Sequence, residues 1–306
     1  MTLLQLKYLC EIIDRGMSIS AAALSLHTSQ PSMSRQMQAL ERELGVTIFL
    51  RSKRRILGLT AAGAEVRDIA RKTLHTAESL RHISKDVSAD NTGTLTVTTS
   101  HTHARYVLPG IIHEFSRRFP KVRITLRQGN PTQVADLVSS GEADLSICSR
   151  PPREVHGLAL LPCYDQHKIV LTPPRHPLLA LRRLTIKALS KYSLITYDSE
   201  FTTYAQIMKS FEMANCEPHV ILSATDVDVM KEYVKRELGV AIVAALAFDP
   251  EEDSGLRAID ARHLFQSNKI FIGIQKHTYV RGFALEFIKL FAPTITSEQV
   301  ARAVAA

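Results

Sequence analysis

Four cysteines in 306 residues are too few and too scattered to staple a fold. Cys10, Cys148, Cys163 and Cys216 form no C-x-x-C pair and have no histidine at a zinc-finger interval, so neither a disulfide framework nor a metal site is expected. No apolar run reaches bilayer-spanning length. The opening MTLLQLKYLCEIIDRG is interrupted by Lys7, Glu11 and Asp14, which the hydrophobic region of a signal peptide would not tolerate. A cytoplasmic protein with no membrane partner is expected. Glycine-rich phosphate loops and zinc-type histidine pairs are also missing. Ser100, His101, His103 and Asp198 supply the residue types of a hydrolytic triad, but no G-x-S-x-G elbow frames them. The expectation is a protein that is not an enzyme and carries no cofactor.

The length suits two or three domains rather than one small core. Hydrophobic residues make up 45%, as in globular proteins, and the formal charge of +8 with a pI of about 9.4 favours polyanionic partners. The charge is uneven. Residues 1–60 hold eight basic side chains against four acidic ones, a net +4, which is half the excess.

Leu3, Leu6, Leu9, Ile12 and Ile13 recur at helical spacing, which predicts an amphipathic helix ending near Gly16. Ser18 or Ser20 caps a short second helix whose small residues Ala21, Ala22 and Ala23 let another helix cross closely. In "TSQPSMSRQMQALERELG" (28–45) Ser29 is placed as N-cap, Pro31 falls in the first turn, and Gly45 supplies the stop. Met33, Met37, Leu40 and Leu44 form the core stripe of that helix. Its other face carries Gln30, Ser34, Arg35 and Gln38. Two short helices across a tight turn, the second with a polar N-terminal half, form a helix-turn-helix; such a face suits the major groove of double-stranded DNA. The following VTIFLRSKRRILGLT reads as a basic hairpin, a wing whose Arg51, Lys53, Arg54 and Arg55 reach phosphates.

From Thr60 one long helix is predicted, with a heptad seam of Val66, Ile69, Thr73, Thr76, Leu80, Ile83 and Val87 that implies a partner helix and a dimer. "SADNTG" (88–93) reads as a hinge. Beyond Thr94 strands and helices alternate, which predicts parallel sheets covered on both faces, in two subdomains facing across a cleft. The strand ends "TTSHTHARY", "CSRPP" and "TYDSEFTTY" bring hydroxyls (Thr99, Ser100, Thr102, Ser149, Thr202, Thr203) to where open α/β sheets bind ligands, a setting suited to a small oxyanion.

With "TSQPSMSRQMQALERELGVTIFLR" at its front, the chain resembles the LysR-type transcriptional regulators nearly end to end. In the C-terminal region, "HARYVLPGII", "QGNPTQVADLVSSGEAD", "LLPCY", "LITYDSEFT", "ATDVDVMKEYV" and "LGVAIVA" are similar to the sulfur-assimilation branch of that family, the CysB- and Cbl-like regulators. The resemblance implies an α/β fold with an N-terminal all-α winged helix-turn-helix and an effector region of two Rossmann-like, periplasmic-binding-protein-like subdomains. The implied domains are 1–59 for DNA binding, 60–90 for the linker helix and 91–306 for the effector. Subdomain I covers about 91–162 with 266–293, and subdomain II about 163–265. A homotetramer built as a dimer of dimers is implied, with promoter DNA, RNA polymerase and a small-molecule effector as partners.

For DNA contact the expected residues are Ser29, Gln30, Pro31, Ser34, Arg35, Gln38, Arg51, Lys53, Arg54 and Arg55. For the effector, Thr102 and Thr202 match the branch directly, and Ser100 and Ser149 stand where it has threonines. His103 replaces a glutamine, Arg150 a glutamate, and Tyr204 after Thr203 replaces the usual "FTGR" ending. His103, titratable near neutrality, and Arg150 are expected to make the pocket rim more positive, favouring an anion such as sulfate, an organosulfur compound or a nucleotide-linked sulfate. The competing readings are a redox-sensing regulator using Cys163 and Cys216, and a solute-binding or enzymatic module with an inert N-terminal domain. Nothing beside those cysteines lowers a thiol pKa.

Overall fold

The structure, a computed structural model, describes residues 1–52, 55–87 and 91–306, with 81–87 followed by backbone alone. The chain divides into two compact units, Met1–Ala89 and, in the main, Asp90–Ser139 with Ala143–Ala306. Among the described residues no helix is long and apolar enough to cross a membrane.

The first unit opens with α1 (Leu3–Asp14), capped by a Thr2–Gln5 capping box and burying Leu6, Leu9 and Ile12. Leu3, expected in the buried stripe, is exposed, because it lies in the first turn, ahead of the core. Ser18 caps α2 (Ile19–Ser25) through Ala21 N at 3.2 Å, and the buried Ala22 and Ala23 leave room for α3 (Gln30–Leu44). Ser29 accepts from Ser32 N, Pro31 occupies the first turn, and Gly45 ends α3 at φ +68. Met33, Met37 and Leu40 are fully buried, each worth about 1.5–3 kcal/mol of apolar transfer. Leu44 is 38% exposed: the chain reverses at Gly45, and Ile48 and Phe49 complete that core instead.

The strands β1 (Phe49–Ser52) and β2 (Arg55–Leu59) pair antiparallel from Phe49↔Leu59 to Ser52↔Arg55. Their root is tied to α3 by Glu41, whose Oε1 accepts from Ile48 N (2.9 Å) and Phe49 N (3.2 Å) and whose Oε2 accepts from Arg51 (3.2 Å). Gly63, early in α4 (Ala61–Val87), lies so close to the same root that a Cβ would meet the Ile48 carbonyl oxygen at 2.0 Å. Along α4 the seam positions Ile69 and Leu80 are 65% and 69% exposed, with Thr76 exposed between them. Val66, at the start of the seam, packs against the first core instead, so among the described side chains the outward part of the seam is Ile69, Thr76 and Leu80. Ile83 and Val87 lie outside the described side chains.

In the second unit the strands form two five-stranded sheets. The first holds β3 (Gly93–Thr99), β4 (Val122–Gln128), β5 (Leu145–Ser149), β6 (Leu158–Gln166) and β12 (Asn268–Gln275), in the order β4-β3-β5-β12-β6. The second holds β7 (Lys168–Thr172), β8 (Ser193–Tyr197), β9 (His219–Ala224), β10 (Val240–Ala244) and β11 (Arg257–Asp260), in the order β11-β7-β10-β8-β9. Both sheets are mixed, which corrects the expected parallel pattern: β12 runs antiparallel to β5 and β6, and β7 antiparallel to β10 and β11. The cause is the double crossing of the chain. β6 leads into β7 across His167 alone, and β12 returns from β11 into the first sheet, so the crossing strands enter against the parallel ones. The changeover thus follows Gln166 rather than residue 162.

Helices α5 (His101–Tyr106), α6 (Leu108–Arg118) and α7 (Pro131–Ser139) belong to the first sheet, as do α11 (Gly282–Phe291) and α12 (Ser297–Ala305). Leu95, Val97, Ile147, Ile270 and Ile272 form the first core with Phe115 and Phe287, whose rings meet edge-on at 5.4 Å. The second sheet is covered on both faces by α8 (Ile186–Leu189), α9 (Thr202–Met213) and α10 (Val227–Lys235). His101–Tyr106, placed from sequence only at a strand end, is helical, with Ser100 as its N-cap.

Candidate functional site

In the first unit the polar stripe of α3 presents Gln30, Pro31, Arg35 and Gln38 to solvent, one turn after another, with Ser34 half-buried between them and Ser29 at the cap. Arg35 Nε donates to the Pro31 carbonyl at 3.3 Å, which lays the guanidinium along the helix towards its N-terminus. Arg55 is exposed on β2. Arg51 is held between Glu41 and the Phe49 ring, its guanidinium carbon 5.5 Å from the ring centre. Lys53 and Arg54 lie outside the described residues. Glu41 escaped sequence reasoning; its signal is an acid one turn before the helix stop and within reach of the first wing strand.

In the second unit the expected effector residues gather where the two sheets meet. Ser100 Oγ accepts from His103 N and lies 2.8 Å from His103 Nδ1. The His103 ring is only 2% exposed and packs 6.2 Å from Tyr164, which in turn lies 6.0 Å from Phe291. Burial pushes its pKa down to about 4, so His103 is neutral at pH 7. That corrects the expectation of a titratable, positive rim.

Ser149, Ile270 and Tyr164 form one cross-strand row, and Gln166 and Asn268 the next row on the same face. Three buried polar atoms there have no partner among the described residues: His103 Nε2, Tyr164 Oη and Gln166 Nε2. Arg150 follows Ser149 and turns to the opposite face, its guanidinium 5.1 Å from the Phe271 ring centre. Its carbonyl, not its charge, serves the crossing, accepting from Thr202 Oγ1 at 2.8 Å. Thr102 is buried; the Tyr197 hydroxyl accepts from Ala244 N at 3.1 Å, and burial pushes that phenol up to about 12. Thr203 Oγ1 accepts from Asn268 Nδ2.

A second set of contacts joins the sheets through α10, with Lys231 also held on its own side by Asp253. Tyr106 donates to Asp228, Arg105 pairs with Asp228 at 2.5 Å, and Lys231 donates to the Tyr106 hydroxyl at 2.9 Å and to Asp253 at 2.6 Å. Asn130 on the first sheet's side donates to Glu200 on the second's.

The imagined triad does not assemble: His101 bonds to Gln128 at 2.7 Å, and Asp198 accepts from Glu200 N in its own loop. The redox pair does not assemble either. Cys163 packs against the first core and Cys216 against the second, each thiol donating to a carbonyl two residues earlier, and burial pushes the Cys163 thiol up to about 11.

A groove-reading helix with a hairpin wing, followed by a two-lobed α/β unit with a polar junction, defines a DNA-binding regulator with an effector domain. Comparison with known proteins gives the particular family. The model described as bacterial regulatory helix-turn-helix protein, lysR family, matches residues 3–64, and the LysR substrate binding domain matches 88–294. The HTH-type transcriptional regulator SsuR of Burkholderia cenocepacia is 39% identical over 297 residues, 97% of this chain and 96% of that protein. The HTH-type transcriptional regulator CysB of the same organism is 39% identical over 303 residues, 99% and 97%. Among solved structures, the cofactor-binding domain of the Cbl transcriptional regulator is 35% identical with a TM-score of 0.67, covering 70% of this chain and 94% of that one. The chain belongs to the LysR family of DNA-binding transcriptional regulators, in its CysB- and Cbl-like branch; it is not an enzyme.

Proposed function

We propose that this regulator is cytoplasmic and controls genes of sulfur metabolism, and that its promoter binding responds to a small sulfur-containing anion lodged between the two α/β subdomains. The observation that carries the reading is the set of unsatisfied donors at the junction. With the Ser100 hydroxyl accepting from His103 N and donating to Nδ1, the tautomer assigned in this proposal carries the ring proton on Nε2. His103 Nε2, Tyr164 Oη and Gln166 Nε2 then all point N–H or O–H groups without an acceptor. Buried donors without acceptors cost about 1–3 kcal/mol each, and a tetrahedral oxyanion accepts from several at once. Ser149, Thr102 and Thr202 are the hydroxyls around the same crossing.

Ser29, Gln30, Pro31, Ser34, Arg35 and Gln38 serve the groove, and Arg51, Lys53, Arg54 and Arg55 the phosphates. Binding energy that differs between two arrangements of the lobes shifts their balance and with it the spacing of paired DNA-binding heads. Titration calorimetry of the full-length protein with sulfate, thiosulfate, adenylyl sulfate, acetylserines and sulfonates tests the effector class. Binding of an anion supports it; binding of only a cation or neutral compound overturns it.

A further inference from the structure

Lys168 is the first residue of β7, directly after the crossing from the first sheet, and only 2% exposed. Its Nζ donates to Gln206 Oε1 on α9 at 2.8 Å, to Asn268 Oδ1 on β12 at 3.1 Å and to the Gln266 carbonyl. All three acceptors are neutral; no carboxylate is among them. A buried ammonium without a counter-anion is costly to the fold and is retained where its charge is used.

Lysine only donates, so Asn268 must turn Oδ1 towards Lys168 and Nδ2 away from it. Nδ2 donates to Thr203 Oγ1, so Thr203 cannot donate back to Asn268. Among the described residues the Thr203 hydroxyl proton has no acceptor. Asn268 lies in register with Gln166, so Thr203 is tied through Asn268 to the row that holds the unpartnered Gln166 amide.

We infer that Lys168 is the counter-charge of the effector site, a positioning residue that acts through Asn268 and Thr203 to present a hydrogen-bond donor to the bound anion. This rests on the anion reading above. It also relocates the positive charge of the site: not on the side chains of residues 103 and 150, which the structure leaves neutral or turned to the other face, but beneath the site at the crossing of the lobes. Burial pushes the ammonium down to about 8, and a nearby anion would favour its charged form.

The discriminating variant is Asn268→Asp in the full-length protein. An aspartate there satisfies Lys168 better than the amide does, so the fold keeps its stability. With both carboxylate oxygens accepting, Thr203 must instead donate to residue 268, and the donor to the anion is lost. Calorimetry with sulfate, thiosulfate and adenylyl sulfate is predicted to show at least tenfold weaker binding of whichever anion the wild type takes, a factor equivalent to about 1.4 kcal/mol. The melting temperature without ligand is predicted to be no lower than wild type. Lys168→Met is predicted to lose the same affinity. Unchanged anion affinity in Asn268→Asp overturns this inference alone. Failure of the wild type to bind any of the three anions overturns the anion reading and this inference together.

Discussion

Glu41→Ala tests how the wing is fixed to the recognition helix. In the native head one carboxylate oxygen accepts from two successive amides, Ile48 N at 2.9 Å and Phe49 N at 3.2 Å, and the other holds Arg51. The side chains following those amides are fully buried, so their backbone cannot swing out to water without opening the core. Hydrogen bonds to a charged acceptor contribute about 1.5–3 kcal/mol each. Discounting for partial exposure, the pair is worth about 3 kcal/mol. Native-state hydrogen exchange reads this directly: the Ile48 and Phe49 amides should exchange about a hundredfold faster in Glu41→Ala, since each 1.4 kcal/mol is a factor of ten. Glu41→Gln, which keeps one acceptor, should recover part of the protection. Affinity for promoter DNA should fall in Glu41→Ala, because Arg51 and Arg55 ride on the wing. Unchanged protection of both amides in Glu41→Ala would refute the claim that this carboxylate anchors the wing.

Two further predictions follow from the same geometry. Arg35→Ala should relax sequence preference, whereas Arg55→Ala should weaken all DNA sequences alike and lower the slope of log affinity against log salt by about one; binding curves on specific and random DNA at several salt concentrations separate the two effects, and identical behaviour would mean that the groove assignment is wrong. His103 is held neutral with its pKa lowered to about 4 from an ordinary 6.5, so the unfolded chain binds the extra proton first as pH falls. Stability contributed at neutral pH is therefore lost between about pH 6.5 and 4, about 3 kcal/mol at 1.36 kcal/mol per unit, and urea midpoints of His103→Gln should lack that component.

The head was legible because its signals are local. Ser29, Pro31 and Gly45 each act within one helical turn, so the start and stop of α3 follow from neighbours in sequence. Leu44 broke the pattern because burial in a last turn depends on where the chain goes next. The sheets were legible in number and alternation but not in direction: that β12 and β7 run against their neighbours depends on crossings between strands distant in sequence.

At the junction of the two sheets the hydroxyls and His103 were legible as neighbours, but their charges were not. Whether an imidazole after a strand end faces solvent or core is decided by Tyr164 and Phe291, which lie far along the chain. The side chain of Arg150 was within reach of sequence reasoning, since adjacent residues at a strand end face opposite ways and Ser149 takes the junction face. Lys168 was not, because a lysine opening the strand KIVLT reads as a solvated charge until α9 and β12 are seen to enclose it.

Footprinting of the full-length protein on its own upstream region, with and without each sulfur anion, tests together the DNA-reading head and the proposed anion site at the junction. A salt-sensitive, sequence-selective footprint whose extent changes when a bound anion is present is the predicted result. No selective footprint, or one left unchanged by every anion that calorimetry shows to bind, would contradict it.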